Sequence, residues 1–253
     1  MFPLAEVADE SRRERALAAI PAVAVGALVV VNLASFVYEV ALIAGGDVDF
    51  TLAWGLVPRV LLRLDPAHGV ETIFTSMFLH AGWPHLLGNM WFLWLFGRSV
   101  ERNLGALRFM AVYLLSGLAA ALTQALVSPL SIVPMLGASG AIAGVLAAYV
   151  SLYPWRRIRT LVPIFIVPVI FSFPAFVIVL EWFALNLFQG LGSLHLATRA
   201  QGGTAWWAHI GGFLAGLVLV RVLYPDAPSR APRRRGHASG GTRTYDDQTD
   251  DSR

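Results

Sequence analysis

Long apolar runs dominate the chain, and short polar stretches divide them. Residues 16–44 form the first run, 84–101 the second, 106–127 the third, 139–153 the fourth, 161–189 the fifth and 204–224 the sixth. Most are long enough to cross a bilayer as helices, and the fourth is short. Pro163, Pro168 and Pro174 fall in the first half of the fifth run and are expected to shape it. The pattern predicts an all-α membrane protein with six transmembrane helices. Residues 45–76 are a mixed loop, and apolar positions in its middle, 50–64, are interrupted by Arg59 and Arg63. That middle is too short and too charged to span, and it reads as an interfacial amphipathic segment. Residues 128–136 form an uncharged loop with two prolines, and 190–203 form another loop.

The arginines give the orientation. Arg12, Arg13 and Arg15 precede the first span, and Arg98, Arg102 and Arg108 lie between the second and third. Arg156, Arg157 and Arg159 lie between the fourth and fifth, and more follow the sixth. The opposite loops hold few basic residues. Alternate loops thus agree on cytoplasmic N- and C-termini. The chain divides into a cytoplasmic segment 1–15, a membrane domain 16–224 and a tail 225–253. The tail, rich in Pro, Gly, Ser and Arg with an Asp-rich end, is expected to be disordered. No internal repeat is evident, which argues against an inverted-repeat transporter. The first apolar run is too long for a signal peptide and lacks an obvious cleavage site. With no organellar targeting segment visible, a bacterial plasma membrane is expected.

Composition supports this class. Of 253 residues, 57% are hydrophobic and 14% charged, and the mean hydropathy is +0.63. A soluble domain of this size is excluded. The absence of cysteine excludes disulfides and a thiol nucleophile. The net charge of +3 reads as topology information rather than as a nucleic-acid footprint.

Candidate chemistry centres on Gly137-Ala138-Ser139-Gly140-Ala141-Ile142-Ala143-Gly144. Alone, such a serine can be packing glue that hydrogen-bonds to nearby backbone. The rest of the chain changes that reading. Ser139 opens the fourth span, which starts on the outer side. At ~1.5 Å per residue that span reaches ~22 Å against a core of ~30 Å, so Ser139 should sit about 8 Å below the outer surface. His209, a few residues into the sixth span, arrives at about the same depth. Gly211, Gly212 and Gly216 allow the sixth span to approach the Gly140/Gly144 face. A serine hydroxyl becomes a nucleophile when an imidazole takes its proton. The developing oxyanion needs donors. His85 and Asn89 share one face of the second span and can both donate, and the Ser139 amide is a further candidate.

Three motifs now stand in order: His80-Ala-Gly-Trp-Pro-His85-Leu-Leu-Gly-Asn89, Gly137-Ala138-Ser139-Gly140, and Ala208-His209-Ile210-Gly211-Gly212. Together they resemble the rhomboid family of intramembrane serine proteases over roughly residues 72–224. The resemblance implies a six-helix bundle with a water-filled cavity open to the outside. It implies a Ser139–His209 dyad without an acidic third member, and an oxyanion site from His85, Asn89 and the Ser139 amide. His80 matches a position thought to be structural. Two features depart from the family pattern. Ala143 stands where many members place an aromatic against the histidine, so Trp206 or Trp207 is expected to hold His209. The family's Trp-Arg pair is absent as a dipeptide, although Trp54 and Arg59 lie in the first loop.

Other polar residues read as structural. Asn32 and Glu39 lie seven apart on one face of the first span and should look inward as a buried pair. Glu181 is expected to partner a neighbouring helix, and Glu101 with Arg102 to form a helix-end pair at the cytoplasmic side. His68 and His195 read as solvated loop residues. A zinc site of His80, His85, His209 and an acid is disfavoured, because the His80–His85 spacing does not fit the His-Glu-x-x-His helix motif. The expected function is cleavage of transmembrane segments of other membrane proteins, without metal or cofactor. Substrates with helix-breaking small residues are favoured, and the fifth span with its adjoining loops is the expected gate. The alternatives are a non-catalytic rhomboid-like protein that binds membrane clients and a small transporter or channel. A transporter would need polar residues through the full membrane depth, whereas here they cluster in the outer half.

Overall fold

A computed structural model of the chain describes residues 1–6, 16–164, 167–195 and 205–225. The expected tail and most of the N-terminal segment lie outside the described residues. Strand β1 is Phe2–Glu6, helix α1 Val23–Ala44, α2 Phe50–Trp54 and α3 Pro66–Thr75. Helix α4, Trp83–Phe92, runs through a wider π turn, Leu93–Gly97, into α5, Arg98–Leu104. Helix α6 is Ala106–Val127 and α7 Ser139–Leu152. Strands β2, Arg157–Ile164, and β3, Val167–Pro174, lead into α8, Ala175–His195, and α9, Trp206–Leu223. Among the described residues, four helices are long and apolar enough to cross a membrane: the run Ala16–Ala44, α6, Ala175–Ser193 within α8, and α9. Helix α7, at 14 residues, is shorter.

Helix α7 lies at the centre. Every residue from 140 to 149 is buried, as expected of a helix that is apolar on all sides. Helices α6 and α9 pack along it through small residues. A side chain added at Gly212 would run into the Gly140 backbone, and one at Gly216 into the Gly144 backbone. On its other side Gly144 leaves room only for Ser116 of α6. Repeats of four place these glycines on one face of each helix, so two backbones touch where larger residues would hold them apart.

Two buried carboxylates tie the surrounding helices together. Glu101 accepts hydrogen bonds from the backbone N–H groups of Ala24 and Val25, each at 2.8 Å. These are orphan donors of the first turn of α1, and an acid there also suits the helix dipole. The pairing of Glu101 with Arg102 expected from the sequence gives way to this cap, and Arg102 Nε instead donates to the Ile20 carbonyl at 2.9 Å. Asn32 and Glu39 both face inward, as their spacing required. They serve different partners: Asn32 Nδ2 donates to the Leu28 carbonyl at 2.7 Å, and Glu39 accepts from the His80 backbone N–H at 3.0 Å.

The fifth apolar run is not one helix. Its first half, with residues 157–160 before it, forms an antiparallel hairpin, β2 on β3, in which Pro163 faces Pro168 and Arg157 faces Pro174. Three prolines in twelve positions deny a helix its donors. The β-branched residues between them suit a strand. Strand β1 adds to the free edge of β2, with Phe2 opposite Leu161. Glu6 at its end accepts from Arg156 Nη1 at 2.8 Å and from Ser99 Oγ at 2.9 Å. The first loop also departs from the expected single segment over 50–64. Helix α2 stops at Gly55, where a side chain would strike Leu136 and Pro134. Leu56 then exchanges backbone hydrogen bonds with Met135, which docks this loop on the uncharged loop 128–136.

The glycine contacts predict a sharp contrast. Gly212→Val or Gly216→Val should lower unfolding free energy by about 1–3 kcal/mol or more through overpacking. Gly192→Ala on α8, whose added methyl meets nothing within 4 Å, should be neutral or gain up to about 1 kcal/mol. Thermal unfolding in detergent measures both.

Candidate active site

The turn before α7 positions the serine. Gly137 takes φ +112°, a backbone region that favours glycine. Its N–H donates to the Ser76 carbonyl at 2.8 Å. The chain then turns directly into α7, and Ser139 is its first residue. His209 lies on the first turn of α9 and is buried. The Gly140–Gly212 contact brings the two helices close enough for His209 Nε2 to stand 2.8 Å from Ser139 Oγ.

His85 and Asn89 reach the same place from α4. A side chain at Gly137 would stand 2.8 Å from His85 Nε2 and 3.4 Å from Asn89 Nδ2. Both residues therefore surround the turn two positions before the serine. Asn89 Nδ2 is buried and has no hydrogen-bond partner among the described residues. Ser139, His209, His85 and Asn89 line one cavity of about 730 Å³, together with apolar Met135, Phe92 and Leu146 and the ring of Trp182. All four residues singled out in the sequence thus converge there.

The far side of His209 is organised by α8. Its Nδ1 is hydrogen-bonded to Asn186 Oδ1, and Asn186 Nδ2 donates to the Trp182 carbonyl at 2.7 Å. The Trp182 ring lies 5.5 Å from the imidazole, centroid to centroid, and the Trp206 ring stands edge-on at 6.3 Å. Of the two tryptophans expected to hold His209, Trp206 does touch it. Trp207 makes no ring contact with it, and its indole N–H is buried without a partner among the described residues. Trp182 and Asn186 were missed. The available signal was an amide within an apolar run, four residues after a tryptophan. Gln124 of α6 was missed too; its Oε1 accepts from the Ala208 N–H at 3.3 Å and caps the start of α9.

The remaining polar residues fall outside this cluster. His80 is buried with its ring 5.2 Å from that of His85. Glu181 stands 3.4 Å from the Met1 amino group. His68 is half-buried in the first turn of α3, where its N–H donates to Asp65 at 3.1 Å. His195 is the last residue of α8 rather than a loop residue.

Residues 67–226 match the model of the rhomboid domain. The chain belongs to the rhomboid family. With its apolar helices it is an integral membrane rhomboid. Rhomboid protein 1, mitochondrial, of Saccharomyces cerevisiae is 33% identical over 186 residues, covering 72% of this chain and 49% of that protein. Rhomboid protease GluP of Bacillus subtilis is 42% identical over 82 residues, covering 32% of this chain and 16% of that protein. Inactive rhomboid protein 1 of Drosophila melanogaster is 37% identical over 85 residues, covering 34% of this chain and 6% of that protein. The chain spans about half the length of the curated relatives that it matches over the longest stretches. The family therefore includes proteases and inactive members, in organelles as well as bacteria.

The turn at Gly137 carries its own prediction. Gly137→Ala combines an unfavourable backbone with a methyl driven against His85. It should cost about 1–3 kcal/mol, a strained φ and local overpacking together. The comparison is thermal unfolding of the variant and of wild type in the same detergent.

Proposed function

We propose that this rhomboid is an intramembrane serine endopeptidase that cleaves within or beside transmembrane segments of other membrane proteins. The observation that carries the reading is the 2.8 Å contact between Ser139 Oγ and His209 Nε2 inside a cavity that also holds His85 and Asn89. Ser139 Oγ attacks the scissile carbonyl carbon, and its proton passes to His209 Nε2. The carbonyl oxygen becomes an oxyanion, which Asn89 Nδ2, the His85 ring N–H and the Ser139 amide stabilise. The Ser139 amide is free for this because the first N–H groups of a helix have no intrahelical acceptor. His209 then gives its proton to the leaving amine and the C–N bond breaks. Water enters, loses a proton to His209 and hydrolyses the ester, which restores Ser139. A substrate helix must unwind to expose its carbonyl, so segments with small, helix-breaking residues are favoured.

Several finer features belong to the same proposal. The second apolar run, α4 to α5, and the short α7 complete six spans with the four longer helices, and the first loop lies at the outer interface. Arginine placement supports cytoplasmic termini, with residues 1–15 and 225–253 flanking a membrane domain 16–224. The host membrane is a bacterial plasma membrane. The second reading, a client-binding protein without activity, draws on the inactive relative from Drosophila melanogaster. It does not account for a serine and a histidine in hydrogen-bond contact.

Purified protein in detergent, offered a model transmembrane substrate, tests the reading. Wild type should cut, Ser139→Ala and His209→Ala should be inert, and a metal chelator should change nothing. Cleavage by Ser139→Ala would move the nucleophile elsewhere. Loss of wild-type activity on chelation would revive the metal reading. A wild type silent on several substrates, and unreactive toward a fluorophosphonate, would favour client binding. A second series addresses the oxyanion site. Asn89→Ala and His85→Ala should each lower kcat by about 10²–10³ with a much smaller change in KM. Equal losses in kcat/KM through KM alone would make them binding residues instead.

A further inference from the structure

We infer that Asn186 is a positioning residue that sets the tautomer of His209 and thereby prepares Ser139 for reaction. The inference rests on the serine-protease reading, but its central observation can be measured without catalysis. It begins with the orientation of one amide. Asn186 Nδ2 lies 2.7 Å from the Trp182 carbonyl oxygen. Only the NH₂ end can donate there; the flipped amide would set two oxygens against each other. Asn186 Oδ1 therefore faces His209 Nδ1. An amide oxygen carries no proton, so this contact requires N–H on Nδ1. A neutral imidazole protonated at Nδ1 has a bare Nε2. That nitrogen is 2.8 Å from Ser139 Oγ, and the hydroxyl donates to it. The row Trp182 carbonyl, Asn186, His209, Ser139 is thus directional from end to end.

The opposite tautomer would break the row twice. With the proton on Nε2, the imidazole could not accept the serine proton. Its bare Nδ1 would face the bare Asn186 oxygen. Aspartate fills this role in soluble serine proteases, where it also stabilises the imidazolium. Here the group sits on a helix long and apolar enough to lie in a membrane. A neutral amide sets the tautomer there without the cost of burying a carboxylate. Trp182, one turn earlier on α8, covers the imidazole with its ring while its carbonyl fixes the amide. One turn of α8 thus supplies both contacts.

The test uses the full chain, folded in detergent and labelled with ¹⁵N-histidine. The chain has six histidines, and the signals missing from His209→Ala assign that residue. Wild type should show His209 protonated at Nδ1 and bare at Nε2. A His209 protonated at Nε2 in wild type would overturn the inference, whatever the variants do. Asn186→Leu should lose the Nδ1–H signal. Its rate of reaction with a fluorophosphonate should fall about 100-fold, the scale of a lost general base. KM for a transmembrane substrate should stay within about threefold, because the change touches proton transfer and not uniform binding. Asn186→Asp keeps an acceptor at the same place, and it should retain the Nδ1–H and react at least about tenfold faster than Asn186→Leu. An Asn186→Leu protein with the Nδ1–H signal intact and a rate within threefold of wild type would overturn the inference. If wild type shows the predicted tautomer but never reacts with the fluorophosphonate, the protease reading fails while the tautomer assignment stands.

Discussion

The contact between the backbones of α7 and α9 is the constraint from which the site follows. Ser139 and His209 are seventy residues apart, and no loop joins their helices directly. They meet because Gly140 faces Gly212 and Gly144 faces Gly216 with no side chain between. In a bilayer the lipid tails are as apolar as the helices, so burying apolar area adds little to helix association. Close packing of small residues must supply the attraction. The same closeness sets the distance across the cavity. A wider helix pair would still fold as a bundle, yet it would leave the imidazole out of reach of the hydroxyl.

Around that contact the polar groups divide into two kinds. Glu101 and Glu39 accept backbone N–H groups and join neighbouring elements at depth. Their carboxyl oxygens are taken up by these backbone donors. Asn89 differs, because its amide nitrogen is buried with no protein partner among the described residues. A buried donor left unmatched costs on the order of 1–3 kcal/mol. Such a cost is understandable where an acceptor arrives with a substrate, which is the role proposed for it.

Much of the site was legible because its signals are local. His85 and Asn89 fall four apart, and Ser139 sits among small residues at the start of a short apolar run. The glycines of the sixth run fall on one helix face. The start of α7 at Ser139 follows from the change to an apolar run there, and α9 begins at Trp206, two residues after the sixth run opens at 204. What escaped depends on partners distant in the chain. Glu101 looked like half of a surface pair, because its true partners, the first amides of α1, lie 76 and 77 residues away. Asn186 looked like one amide in an apolar run, and only the fold brings it to His209. The hairpin at 157–174 escaped for another reason. Hydropathy is blind to whether an apolar run is helical or extended, and by itself it leaves the prolines that decide the matter as features of a helix.

The hairpin and Asn186 together give the fifth run a different character from the others. It does not cross as one uninterrupted helix. Its first half pairs as strands with β1, and the ordered helix α8 begins only at Ala175. Helix α8 packs on α7 and α9, yet the glycine contacts that clamp those two together do not include it. Its link to the site is instead polar and aromatic, through Asn186 and Trp182. Such contacts depend on direction as well as distance, whereas close packing of backbones does not. A small tilt of α8 would therefore leave the bundle intact and still turn the amide away from the imidazole. The element that the sequence reading expects to act as a gate is thus the one whose amide and indole ring contact the histidine.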